Sequence, residues 1–260
     1  MRADSSTVAP ALKALLDTFV DYAGIFPPAA LTLPIALENF QRYESESHAW
    51  MLRYMVVNAS NLDDIPEEYN GRLSVISDRD NNRAATIESK SIFLADRPVY
   101  CEVAVSNLPE LSNVKNSLCY AKIRTGGLTP TAIPSSKEVA DFIIACAELR
   151  LPFKATAGLH HAFRSEQALT YEKDSPRAVM HGFVNVLMAA SFAWHGDKDI
   201  LPIIEERESS AFNFEDGARW RDRVLTVDQV HEARQLFIHS VGSCSFEEPV
   251  AELQEYCLID

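Results

Sequence analysis

The order of strand and helix patterns between Val99 and Ala157 constrains the fold more than any other feature of the chain. Three segments predict strands, at 99–105, 118–125 and 151–157. Before the third of them, the range 137–150 carries an apolar stripe at helical spacing, and Ser135 with Glu138 forms a capping box at its start. Strand, helix and strand in succession predict parallel strands joined by right-handed crossovers.

The rest of the chain extends this pattern. The other predicted elements are strands at 51–57 and 73–76 and helices at 10–22, at 34–43, within 178–194 and after a second capping box formed by Thr226 and Gln229. The range 212–225 has an Asp-Gly turn between two aromatic runs, which predicts an added C-terminal β-hairpin.

These elements predict an α/β fold in a single domain that spans residues 1–260. At this length, a TIM-like (β/α) barrel is the favoured closed form, either complete or incomplete and decorated. An open doubly wound sheet is the alternative, but no G-x-G-x-x-G turn follows the first predicted strand.

Composition narrows the classes of partner. The formal net charge of -13 and the pI near 5.0 argue against binding to nucleic acid or to an anionic membrane. The five cysteines include no C-x-x-C pair, which argues against a zinc knuckle and favours a reducing compartment. Without an apolar leader, we predict a cytoplasmic protein. No cofactor and no metal site are predicted, and a homo-oligomer is left open.

Three neighbouring strands place charge on a single face. Residues i and i+2 of a strand share a face, and the pairs that do so are Tyr100 with Glu102, Lys122 with Arg124, and Lys154 with Thr156. The outer face of a barrel packs on helices and is apolar, so the charged face is predicted to line the lumen. In barrel enzymes, lumen residues near the carboxyl ends of the strands form the active site.

Lysine is rarely buried unless it is paired or functional, so Lys122 and Lys154 are the first catalytic candidates. Nearby cations and burial both lower the pKa of a lysine, and a neutral Lys154 would serve as a Schiff-base nucleophile or a general base. Arg124 would hold a carboxylate or phosphate, with the backbone N–H groups of Gly126 and Gly127 beside it.

Further candidates flank these strands. Glu102 would move protons, or would instead balance Lys122 or Arg124 in a structural salt-bridge network. His160 and His161 follow the third strand, and since adjacent residues point apart, one of them is expected to face the site as a general acid or base. The predicted substrate-binding residues also include Thr156 and, in the proline-rich loop DYAGIFPPA, Asp21 and Tyr22.

Two resemblances bear on function. The segments DYAGIFPP, KIRTGG, FKATAGLHH and GSCSFEEPVAEL resemble a bacterial protein family that carries no assigned activity. FKATAG is also similar to the K-x-[ST]-x-G strand of deoxyribose-phosphate aldolases, class I enzymes on a (β/α) barrel. This resemblance implies that Lys154 is the Schiff-base lysine. AKIRTGG is similar to their second lysine strand, with Lys122 matching, although the two strands follow in the opposite order here.

Three hypotheses follow. The first is an enzyme of small-molecule metabolism that acts through its lysines on an anionic carbonyl or sugar substrate, as a lyase of the Schiff-base aldolase type. The second is a lysine-based acid/base isomerase or a phosphoribosyl-type transferase that forms no imine. The third is a barrel that binds a small anion without catalysis. Convergent charged groups in a pocket usually serve catalysis, which favours an enzyme.

Overall fold

Eight parallel strands close into a barrel in the computed structural model, which describes residues 8–260. Residues 8–260 contain thirteen strands, of which eight form the barrel. In chain order they are β1 (Val20–Tyr22), β2 (Leu52–Asn58), β3 (Leu73–Ile76), β4 (Ala84–Ser89), β5 (Val99–Glu102), β6 (Tyr120–Arg124), β7 (Phe153–Thr156), β8 (Ser165–Ala168), β9 (Arg177–Met180), β10 (Phe212–Asn213), β11 (Ala218–Trp220), β12 (Arg223–Leu225) and β13 (Ile238–Ser243). Strands β1 to β7 lie side by side in sequence order, and β13 closes the barrel between β7 and β1. The predicted (β/α) barrel is therefore confirmed.

Helices cover only part of the barrel. They are α1 (Pro10–Leu16), α2 (Leu33–Tyr43), α3 (Glu110–Asn116), α4 (Ser136–Glu148), α5 (Phe183–Trp194), α6 (Leu201–Glu205), α7 (Val227–Leu236) and α8 (Glu247–Glu255). Short 3-10 turns join β2 to β3, and loops join β3 to β4 and β4 to β5. The barrel is thus complete in its strands and reduced in its helices on one side.

The capping boxes were predicted correctly. Ser135 accepts a hydrogen bond from the backbone N–H of Glu138, and the side chain of Glu138 accepts one from the backbone N–H of Ser135. Thr226 and Gln229 make the same reciprocal pair at the start of α7. In both cases the side chains replace partners that the first turn of a helix lacks.

One predicted helix was wrong in its second half. Helix α1 ends at Leu16, Thr18 adopts a φ of 46°, and residues 20–22 form strand β1 between β13 and β2. Strand β4 was not predicted at all. The local sequence pattern was not sufficient to predict strands β1 and β4, because their pairing partners come from distant parts of the chain.

Two antiparallel additions decorate the connection from β7 to β13. The predicted C-terminal hairpin is present as a three-stranded sheet of β10, β11 and β12, and Gly217 adopts a φ of 123° in the predicted Asp-Gly turn. A second hairpin, formed by β8 and β9, follows β7 directly. Helix α5 lies between these two additions, and all its side chains are buried. None of the helices in residues 8–260 combines the length and apolar character that a bilayer crossing needs.

Candidate active site

The lumen of the barrel holds a chain of alternating charges. Lys154 on β7 is fully buried, and its Nζ donates to Asp21 Oδ2 at 2.5 Å and to Glu88 Oε1 at 2.6 Å. Lys122 lies beside it on β6, in direct register. Its Nζ is 3.2 Å from Glu88 Oε2 and 3.0 Å from Glu102 Oε2. Glu88 therefore bridges the two ammonium groups, one with each carboxylate oxygen.

These carboxylates are held by their own partners. Ser74 donates to Glu88 Oε1 at 2.9 Å, and Thr86 donates to Ser74 at 3.0 Å. Ser240 donates to Asp21 Oδ2 at 2.6 Å. Each partner sits on a neighbouring strand, so closure of the sheet fixes the positions of the charged groups. These bonds converge on Asp21 Oδ2 and on Glu88, whereas the buried Asp21 Oδ1 has no hydrogen-bond partner among residues 8–260.

The ion pairs set the charge states of the buried groups. Burial alone would raise the pKa of Glu88, but the charges of Lys154 and Lys122 outweigh it and hold that pKa at about 2. Burial alone would lower the pKa of Lys154, but Asp21 and Glu88 raise it to about 12. Lys154 is therefore an ammonium at neutral pH, which runs against the sequence expectation of a neutral lysine. The two carboxylates that cause this difference come from β1 and β4, the strands that local pattern missed.

A cavity of about 390 Å³ opens above these alternating charges, at the carboxyl ends of the strands. Much of its wall is apolar, with Phe26, Val56, Ile76, Leu169 and Met180 among the lining residues. The charged and polar residues among its lining include Glu88, Lys122, Arg124, Thr156 and His160. A largely apolar cavity with a few convergent polar groups is typical of small-molecule sites.

The structure places most of the predicted site residues in the cavity, beneath it or beside it. Those that line the cavity are Lys122, Arg124, Gly126, Gly127, Thr156 and His160. Lys154 and Asp21 lie beneath it, fully buried. Glu102 contacts both Lys122 and Arg124 and faces an adjoining crevice. The salt-bridge network that was the alternative interpretation of Glu102 is thus present, and it forms part of the same site.

Two predicted site residues lie elsewhere. Tyr22 is fully buried in an aromatic cluster, at 6.5 Å from Phe40 and 5.3 Å from Tyr43 between ring centroids, because its strand turns this side chain outward towards α2. His161 points away from the cavity, and its Nδ1 lies 2.5 Å from Glu252 Oε1 on α8. The expectation that only one of the two adjacent histidines faces the cavity agrees with this arrangement.

His160 enters the cavity as a neutral imidazole. Burial, with a smaller contribution from His161, lowers its pKa to about 3. It is therefore a weak base at neutral pH and is suited to hydrogen bonding with a ligand rather than to accepting a proton.

The glycines at the rim allow two strand ends to approach closely. A Cβ on Gly126 would lie 2.8 Å from Gly158 Cα. We expect Gly126→Ala to lower the free energy of unfolding by about 1–3 kcal/mol, because backbone on the facing strand cannot move aside as a side chain can. Urea denaturation measures this change. Stability equal to that of the unmodified protein would show that the rim tolerates a wider separation.

Sequence reasoning missed Glu88, the group that joins both lysines. The signal was present, since Thr86 and Glu88 alternate with Ile87 in the segment AATIES. That segment is short and polar, and it was not predicted to be a strand. Arg53, whose Nη1 donates to Ser240 at 2.9 Å beneath the lysines, was missed as well.

Within residues 8–260 there is no group of three or more histidine, cysteine, aspartate or glutamate side chains that could hold a metal ion. The five cysteines are unpaired, and Cys244 lines the cavity. Comparison with known proteins finds no matching family model, no matching curated protein and no matching solved structure. The interpretation of this site therefore depends on its own geometry.

Proposed function

We propose that the protein is an enzyme that forms an imine between Lys122 and a small anionic carbonyl compound, as a lyase of the class I aldolase type. The observation that carries the proposal is the position of Lys122. It is the lysine of the buried pair that reaches the cavity, at its floor, whereas Lys154 is sealed beneath. The geometry therefore favours the reverse of the roles that the resemblance to aldolases implied.

The surrounding charges suit this chemistry. An imine forms when the neutral amine attacks a carbonyl carbon and water leaves, and the protonated imine carries the same charge as the lysine ammonium. Glu88 and Glu102, which contact the Lys122 nitrogen, would stabilise that cation as they stabilise the ammonium. Glu102 is partly exposed and is the better placed of the two to pass protons to solvent.

Arg124 supports an anionic substrate. Its side chain is 54% exposed at the rim and makes one long contact, 3.5 Å, with Glu102. Most of its donors are free to bind a carboxylate or phosphate. The apolar lining residues would accept the carbon skeleton, and the neutral His160 would donate or accept one hydrogen bond.

Reductive trapping tests the proposal. The protein is incubated with short 2-oxo acids and with phosphorylated aldehydes, borohydride is added, and the modified peptide is identified by mass spectrometry. We expect a stable adduct on Lys122 with at least one compound. Lys122→Met should abolish it, and Lys137→Met, a change at a lysine that is 72% exposed, should leave it intact.

A second function is favoured by the two ion pairs of Lys122. A lysine ammonium held between Glu88 and Glu102 could polarise a carbonyl or donate a proton without forming an imine. This version predicts turnover that requires Lys122 and no adduct. Equal labelling of exposed lysines and of Lys122 would argue against both versions. Anion binding without turnover would instead support a barrel that binds a small anion without catalysis.

A further inference from the structure

A second cavity, of about 380 Å³, lies at the opposite end of the barrel, where the strands begin. The strands contribute Arg53, Tyr100, Tyr120 and His239 to its wall, and α7 contributes Arg234 and Gln235. We propose that this cavity binds a small oxyanion, a phosphate or a dicarboxylate, at a site separate from the cavity of Lys122.

Arg234 provides the main argument. Its side chain is buried at 6% exposure and donates to the backbone carbonyls of Leu15 at 2.8 Å, Asp17 at 2.9 Å and Ile238. Along the chain from residue 8 to residue 260, no carboxylate lies within ion-pair distance of this guanidinium. Carbonyl groups bond three of its donors without neutralising its charge, and Asp17 and Asp21 act on it only from beyond ion-pair distance, so the buried positive charge is compensated only in part.

The donor count leaves room for a ligand. A guanidinium carries five N–H donors, and the three carbonyl contacts of Arg234 leave others available. Burial and the charge of Arg53 lower the pKa of Arg234 to about 10 against the opposing effect of Asp17 and Asp21, as expected for a cation with no counter-ion in direct contact. A bound oxyanion would supply that counter-ion.

Arg53, the other arginine that lines this cavity, lies near Asp21, which also contacts Lys154. Arg53 Nη1 lies 3.9 Å from Asp21 Oδ2, whereas Lys154 Nζ lies 2.5 Å from the same oxygen. Asp21 therefore lies closer to Lys154 than to Arg53, although its charge outweighs burial and raises the pKa of Arg53. Asp17 adds one carboxylate, but that residue is exposed at the edge of the cavity. The balance of the lining is positive.

Neutral hydrogen-bonding groups complete the wall. The Tyr100 hydroxyl and His239 Nδ1 are hydrogen bonded at 2.7 Å. Burial, together with the charges of Arg53 and Arg234, lowers the pKa of His239 to about 3, so the imidazole is neutral. Tyr100 and His239 thus satisfy one another, so the anion-binding donors of this wall are the two guanidinium groups, which suit an oxyanion better than an apolar or cationic ligand.

The site is tested by calorimetric titration and by thermal unfolding, with inorganic phosphate and with malonate in separate experiments. Comparing the two anions distinguishes a phosphate ligand from a dicarboxylate. Removing Arg234 would also remove three structural hydrogen bonds, so the charge is changed at its neighbour instead. Gln235→Glu places a carboxylate in the wall at an exposed position, and Gln41→Glu makes the same change on α2, away from the cavity. We expect Gln235→Glu to weaken binding about tenfold and Gln41→Glu to leave it unchanged.

Arg124→Gln separates this site from the carboxyl-end cavity. Binding that persists in Arg124→Gln and weakens in Gln235→Glu supports the proposal. Binding that is lost in Arg124→Gln and equal in the two glutamate variants overturns it. The absence of both binding heat and thermal stabilisation with either anion overturns it as well.

Discussion

Replacing Lys154 with methionine is expected to lower the free energy of unfolding by about 3–5 kcal/mol, because the change removes the cation that both buried carboxylates contact most closely and leaves Glu88 with Lys122 and Asp21 with the more distant Arg53. Asp21 and Glu88 both contact the Lys154 nitrogen, and none of the three side chains is more than 2% exposed. Methionine fills a similar volume, so loss of the charge rather than a cavity dominates the effect. Urea denaturation at pH 7 measures it.

Lys137→Met is the matched control. This lysine is exposed on α4 and pairs with Asp141 in an exposed ion pair, so its loss should change stability by no more than about 0.5 kcal/mol. Adding Asp21→Asn to Lys154→Met should recover part of the lost stability, since one unpaired charge is removed with its partner. Equal stabilities for Lys154→Met and Lys137→Met would contradict the buried charge chain described above.

Replacing Glu88 with glutamine is expected to lower the free energy of unfolding by about 3 kcal/mol at pH 7. The pKa of Glu88 is held near 2 against an ordinary value of 4.5. A carboxylate with a depressed pKa stabilises the folded state fully above its unfolded pKa. That contribution is lost as the pH falls from 4.5 through 2, so the gap between the variant and the unmodified protein should narrow with acidity.

Chemical denaturation of both proteins at pH 7 and at pH 3 checks this sign. Glu67→Gln, at an exposed residue of a 3-10 turn, serves as the control and should show little difference at either pH. A gap for Glu88→Gln that widens towards pH 3 would mean that Glu88 is already protonated in the folded protein, and the charge chain would then be wrong.

The local sequence pattern was sufficient to predict several features of the structure. The alternation of side chains on the sixth and seventh barrel strands placed Lys122 and Lys154 on one face, and the structure has them side by side in register. The residue pairs Ser135–Glu138 and Thr226–Gln229 defined two helix starts. Side-chain alternation within a strand and the capping contacts both involve residues a few positions apart, so they can be inferred without knowledge of the fold, whereas the register between the two lysines cannot.

Other features could not be inferred in this way. Alternation shows which face a side chain takes, but it does not show how deep that side chain lies along the barrel axis. Lys154 and Lys122 have the same pattern, yet only Lys122 lines the cavity. Tyr22 follows a site residue directly in the chain and packs outside the barrel instead.

The sequence by itself therefore determined most of the barrel strands, though not β1 and β4, together with the charged face of the strands and the region of the candidate site. Only the tertiary structure decided which lysine reaches a ligand and which stays sealed with two carboxylates. The physical reason is that Asp21, Glu88 and Lys154 are 66 to 133 positions apart in pairs. Their mutual charges, which set each protonation state, exist only once the barrel has closed.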